Sequence, residues 1–150
     1  MRGLGLLILR LSMGVIFIAH GLPTFFPVLG SHLADTAALL KASGVSAAYP
    51  VAVGAGLVEV LAGILLVLGA YTATVALLLA ATTIAFNWMS YLSNGFFLDW
   101  SLESGAGHGY EFDFLRLSAL ACMMLSGPGS LAYDARRARK KGSRRGPKRT

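Results

Sequence analysis

Val51–Leu68 reads VAVGAGLVEVLAGILLVL, eighteen residues with one charge, Glu59, at the ninth place. As a helix rising 1.5 Å per residue, a run of this length is just long enough to cross the roughly 30 Å hydrocarbon core of a bilayer. A carboxylate at such a helix centre costs roughly 2.5–3.5 kcal/mol on insertion scales. Glu59 therefore calls for a partner or a task. Ala52, Ala55, Gly56, Ala62 and Gly63 share its face, whereas Leu57, Leu61, Leu65 and Leu68 fall opposite. Small residues mark surfaces where membrane helices approach closely, so Glu59 is expected to point at another helix and away from lipid.

Three further apolar stretches flank this one: Leu4–Phe26, interrupted by Arg10 and His20, then Thr72 to about Leu92, and the shorter Glu111–Ser126, which stops at Gly127-Pro128-Gly129. Pro50 suits the first turn of the second span, where a missing N–H costs nothing. Arg10 breaks the apolar core that a cleaved signal peptide would need, and no small-x-small site follows, so the first span reads as retained. The composition agrees with a membrane protein, because only 13% of residues are charged and 55% are hydrophobic, against about 25% charged in soluble domains. The expected fold is all-α: an integral membrane four-helix bundle, residues 1–134, with both termini cytoplasmic. A short amphipathic helix over Leu33–Ala42 is expected in the first outer loop, lying on the membrane surface.

Orientation follows from the basic residues. Nine of the thirteen Lys and Arg residues are Arg136, Arg137, Arg139, Lys140, Lys141, Arg144, Arg145, Lys148 and Arg149. With Arg2 they place both ends in the cytoplasm by the positive-inside rule. Residues 135–150 read as a disordered basic tail that can grip anionic lipid at about 1 kcal/mol per charge near the surface. The rest of the chain holds four basic against seven acidic residues. The high pI is thus a property of the tail, and a nucleic-acid-binding face, which would spread Lys and Arg among aromatics, is excluded.

Polar residues within the spans are the candidate site. Ala76, Ala80, Thr83, Asn87 and Ser90 form one stripe on the third span, and Glu111, Ser118, Cys122 and Ser126 another on the fourth. Asn87 stands out because its amide needs several partners. Arg10 lies close enough to the cytoplasmic surface to snorkel, or pairs with Glu59. Asp113 and Arg116, three residues apart, read as a self-contained intrahelical pair. Trp88, Tyr91, Phe96, Phe97, Trp100 and Tyr110 read as an interfacial aromatic belt. The single cysteine, Cys122, excludes a disulfide and a Cys-x-x-Cys pair and reads as a buried, inert thiol. His20, His108 and Glu111 fall near the outer face but lack metal-ligand spacing, so no metal is expected.

Several motifs occur in a recognisable order: Arg10-Leu-Ser-Met-Gly14, His20-Gly21, Glu59-x3-Gly63, Leu68-Gly69 with Thr72, Gly109-Tyr110-Glu111-Phe112, and Gly127-Pro128-Gly129 followed by Asp134. Over about residues 6–134 this resembles the DoxX family of small bacterial membrane proteins. The resemblance implies a four-helix protein of the bacterial inner membrane, associated in some members with thiosulfate:quinone oxidoreductase or other redox systems. It carries Arg10, His20, Glu59 and Glu111 forward as recurrent polar positions. The chain departs from the family at Thr24 and Ala73, where many members have basic residues, and this argues against direct thiosulfate oxidation.

Two functions follow. In the first, the protein is a quinone-associated subunit of a membrane oxidoreductase system. A donor, His20 or His108, faces the quinone, a carboxylate, Glu59 or Glu111, relays protons, and electrons come from a partner protein. Glu59 and His20 are the candidate catalytic residues, and Arg10, His20, Glu59, Asn87, His108 and Glu111 the candidate quinone-binding ones. No cofactor is encoded by motif. In the second, the protein is a non-enzymatic scaffold, assembly partner, or handler of lipid or small solutes. Its Gly-rich helix faces allow homo-oligomers in either case.

Overall fold

The computed structural model describes residues 2–29, 32–90, 94–98, 109–129 and 131–144. Its regular structure is entirely helical: α1 (Arg2–Gly21), α2 (His32–Ala42), α3 (Ala48–Leu68), α4 (Thr72–Ser90), α5 (Glu111–Ser126) and α6 (Tyr133–Arg144), with two 3-10 turns, Leu22–Thr24 and Pro27–Leu29, after α1. Among the described residues three helical segments are long and apolar enough to cross a membrane: Gly3–Thr24, Ala48–Leu68 and Thr72–Met89. α5 has only 16 residues, about 24 Å at 1.5 Å per residue. It packs along α4 and α1.

The face of α3 turned inward is the one its small residues specify. Ala52, Gly56, Ala62 and Gly63 are buried, and Leu57, Leu61 and Leu68 are exposed. α1 and α3 cross at two glycine pairs one heptad apart. A methyl group on Gly63 would lie 2.8 Å from the Gly14 carbonyl oxygen, and one on Gly21 2.7 Å from that of Gly56. The backbones therefore touch, which only glycine permits.

α3 ends in a Schellman motif. Gly69 takes the left-handed conformation (φ 68°), its N–H donates to Leu66 O at 3.0 Å, and Ala70 N–H donates to Leu65 O at 2.9 Å. The αL residue satisfies the orphan carbonyls and reverses the chain within three residues. α2 ends the same way at Gly44, with Val45 N–H on Leu40 O at 3.0 Å. The apolar side of α2 is not spread on a surface. Leu40 is buried against Ala48 and Ala52 of α3, with Leu33, Ala37 and Phe86 around it, so α2 caps one end of the helical body.

Toward the other end, a dry core joins Met13 and Phe17 of α1, Ala62 and Leu66 of α3, Val75, Ala76 and Leu79 of α4, and Leu120 and Met123 of α5. The rotation of α5 differs from expectation. Asp113, Arg116, Leu120 and Met123 face inward, while Ser118, Cys122 and Ser126 are exposed. Their polar atoms are satisfied locally: the Ser118 hydroxyl donates to Phe114 O at 2.8 Å, and Cys122 Sγ lies 3.9 Å from Ser126 Oγ. Turning a charged pair toward lipid costs more than turning out two serines and a thiol, which fixes the rotation. Cys122 is thus an exposed thiol and not a buried one.

The basic segment expected to be disordered from residue 135 is helical to Arg144. Arg145, Lys148, Arg149, His108, Tyr91 and Trp100 lie outside the described residues. Within the aromatic belt, Trp88 and Phe97 are exposed, and Phe96 packs edge-on against Phe97, Tyr110 and Phe114.

Candidate functional site

Glu59 lies near the midpoint of α3 and faces α5. Its nearest cation is Arg116, with Nη2 4.0 Å from Oε1, beyond hydrogen-bonding reach. Arg116 is held on its other side by Asp113, Nη1 to Oδ1 at 3.0 Å. The second oxygen of Asp113 accepts from the Asn87 amide at 3.0 Å. Asn87 therefore meets its demand for partners across the α4–α5 interface. The guanidinium plane rests on the Phe17 ring, 4.4 Å from its centroid, with Phe112 at 5.7 Å. Cation–π contact of this kind replaces part of the lost hydration.

Asp113 has both oxygens engaged, whereas Glu59 accepts no hydrogen bond from any described residue. Two donors beside it are idle as well: Arg116 Nε and Thr83 Oγ1 are buried and have no partner among the described residues. Buried polar groups are rarely left so. The residues that carry these groups, Glu59, Thr83 and Arg116, line one cavity of about 440 Å³. Its apolar wall comes from α1, α2, α3 and α4 (Ala19, Leu39, Ala52, Ala55, Gly56 and Phe86), with Pro23, Thr24 and Leu29 closing the side. His20 reaches the rim, where its ring stacks on Phe112 at 6.0 Å and Nδ1 lies 2.9 Å from Ile16 O. A neutral imidazole donating from Nδ1 presents Nε2 as an acceptor. The charge of the cluster is one cation against two carboxylates.

The remaining sequence candidates fall elsewhere. Arg10 does not pair with Glu59. It is almost wholly buried at the far end of α1 and donates to Pro128 O at 2.6 Å. It neither snorkels nor approaches the cavity. Glu111 sits at the start of α5 and accepts from Leu98 N–H at 3.2 Å, while its own N–H donates to Phe96 O at 2.8 Å. These bonds clasp residues 94–98 to α5. His108 lies outside the described residues, and no group of three metal-ligating side chains occurs among the described ones.

Of the residues that complete the site, the sequence reads Asp113 and Arg116 as a structural pair and Thr83 only as one member of a polar stripe. The signal that could have found them is valence. An i,i+3 partner engages one nitrogen of a guanidinium that has five N–H donors, so a span-embedded Arg needs more than its intrahelical carboxylate.

The DoxX family model matches residues 5–91. The chain belongs to the DoxX family. No curated protein and no solved structure matches it. The matched segment carries α1 to α4 and with them His20, Glu59, Thr83 and Asn87. Asp113 and Arg116 follow it on α5. With its apolar membrane-crossing helices, this DoxX-family chain is a membrane protein.

Proposed function

We propose that this DoxX-family protein binds the head group of a quinone or quinol in the Glu59–Arg116 cavity and serves a membrane oxidoreductase system as its quinone-associated subunit. The observation that carries this reading is the meeting, on one apolar-walled cavity, of Arg116 and Thr83, each with a buried donor that has no partner among the described residues, and of Glu59, whose carboxylate stands 4.0 Å from Arg116 and accepts no hydrogen bond from a described residue. A quinone carbonyl accepts from Arg116 and from the Thr83 hydroxyl once it turns to the cavity, and a quinol hydroxyl donates to Glu59. Few apolar ligands exchange an acceptor for a donor at the same ring position, as a quinone does on reduction to the quinol. Reduction of a quinone takes up two electrons and two protons. The electrons come from a partner protein, since the chain encodes no redox motif, and Glu59 and His20 exchange the protons. Thr24, where many family members carry a basic residue, lies on the cavity wall beside Gly56. Arg116 is then the cation of the site.

In this reading α5 is a fourth span, thin enough to be completed by the segments at its ends, and both termini are cytoplasmic in a bacterial inner membrane. The clustering of Arg2 and the basic tail on one side supports it.

The test is purification in mild detergent followed by solvent extraction and mass spectrometry. Quinone should accompany the wild type and fall at least tenfold in Glu59→Gln and Arg116→Met. A wild-type preparation that carries only phospholipid, and does not bind added short-chain quinone, would sink the proposal.

A further inference from the structure

α6 begins at a latch. The Asp134 backbone N–H donates to Gly69 O at 3.0 Å. Its carboxylate accepts from Tyr71 N–H at 3.0 Å, Thr72 N–H at 2.9 Å and the Thr72 hydroxyl at 3.2 Å. The first N–H groups of a helix have no acceptor within it, so Asp134 caps α4 from another element. Ala132 is fully buried, close against Gly69, and Arg10 of α1 holds Pro128 from below. The start of α6 is therefore fixed to the turn between α3 and α4. Both helices are of membrane-crossing length, so that turn lies at a membrane face, and the first turn of α6 lies at the head-group level beside it.

Beyond Asp134 the helix carries no acid. Arg136, Arg137, Arg139 and Lys140 are all exposed, and Lys141 and Arg144 continue the run. Like charges three and four residues apart destabilise an isolated helix, and no described acid other than Asp134 at the latch balances them. Leu131 and Tyr133, at the root of the helix, are also exposed, and a tyrosine with one apolar and one polar end suits the head-group zone.

We propose that α6 is a membrane-surface helix that binds the anionic phospholipid head groups of the leaflet beside the α3–α4 turn. Lipid is favoured over an acidic protein because the latch holds these cations next to the bilayer whether or not a soluble partner is present. Guanidinium groups also match phosphate oxygens in a two-pronged geometry. Each cation near an anionic surface raises the ratio of surface-bound to free helix roughly fivefold, and screening by salt lowers it.

The experiment uses the full chain with Cys122→Ser and Ala138→Cys, labelled at residue 138 with an environment-sensitive fluorophore. It is reconstituted in vesicles of phosphatidylcholine alone or with phosphatidylglycerol at three parts in ten. The expected result is a blue-shifted emission only with phosphatidylglycerol, reversed at 1 M salt. The shift should be abolished when Arg136, Arg137, Arg139 and Lys140 are all changed to Gln. Emission that is the same in both lipids, or a shift that survives salt and the fourfold change, would overturn the proposal. So would a shift produced only by adding an acidic soluble protein. Because the four substituted residues are exposed, an unchanged elution profile and thermal transition verify that the variant is folded. The Asp134→Ala variant supplies a second reading, since freeing the latch should raise the mobility of the label in phosphatidylcholine and leave its response to phosphatidylglycerol smaller.

Discussion

At the residue scale, Asp113 and Glu59 are both carboxylates beside Arg116, yet they have opposite structural weight. Asp113 satisfies Arg116 and Asn87 together, so Asp113→Ala leaves a buried cation and an amide without their acceptor. Breaking a buried pair from one side costs about 3–5 kcal/mol, and the thermal transition in detergent should fall accordingly. Glu59 accepts no hydrogen bond from a described residue and stands 4.0 Å from the guanidinium. Glu59→Gln should therefore shift the transition by less than about 1 kcal/mol, and if a quinone occupies the cavity the same change should remove it. Loss of stability in the second variant as large as in the first would mean that Glu59 is structural. Asp134 gives a pH prediction. Burial raises its carboxyl, but hydrogen bonds from Thr72 N–H, Tyr71 N–H and the Thr72 hydroxyl, with Arg137 nearby, outweigh burial and hold it below the usual aspartate value. A carboxyl depressed in the folded state adds stability that is fully present above the unfolded value, near 3.9, and is lost as the pH falls through the folded one. Amide exchange at Tyr71 and Thr72, corrected for intrinsic rate, should thus be slow at pH 5–7 and rise only below about pH 4. In Asp134→Ala it should be fast throughout.

At the element scale, the α1–α3 crossing depends on its glycines. A side chain at Gly63 meets the Gly14 carbonyl oxygen and Ile18 Cγ1, each at 2.8 Å. Both glycine pairs lie on one seam, so Gly63→Leu must part the helices along their length. Overpacking of this kind costs roughly 1–3 kcal/mol and should lower the thermal transition, whereas Gly5→Leu, with nothing within 4 Å, should leave it unchanged. This seam was half legible in the sequence. Small residues on one face of Val51–Leu68 marked the contact surface of α3, but nothing in the periodicity named α1 as its neighbour. Helix existence and the turn at Gly69 were legible because apolar length and an αL glycine are local signals. The rotation of α5 was not, because Glu111, Ser118, Cys122 and Ser126 form the longer polar stripe, and an Asp113–Arg116 pair that satisfies itself gives no local sign that turning it toward lipid costs more. Arg10 was misplaced for a similar reason. Its depth was readable, but its acceptor, Pro128 O, lies 118 residues away in the chain. α6 was missed because a run of like charges has no apolar period. Its first turn is set by the tertiary bonds of Asp134, which no window along the tail contains.

At the scale of the whole molecule, the two ends differ in polarity. The cavity lies under α2, with Thr36 and Leu39 on its wall. From its floor to the α3–α4 turn the interior is filled by Met13, Phe17, Leu66, Val75, Leu79, Leu120 and Met123. A packed apolar core conducts neither protons nor a polar head group, so exchange with the cavity runs through the α2 end, opposite to the basic tail. In a Cys122→Ser background, Ala55→Cys on the cavity wall should react with a membrane-impermeant maleimide only from the side on which the tail is resistant to trypsin. Leu79→Cys in the plug should be unreactive from both sides. A short-chain quinone should slow the labelling of Ala55→Cys if it shares the cavity. Labelling of Ala55→Cys from the trypsin-accessible side would show that the plug is permeable, and the one-sided exchange of the cavity would then have to be abandoned whatever ligand the cavity holds.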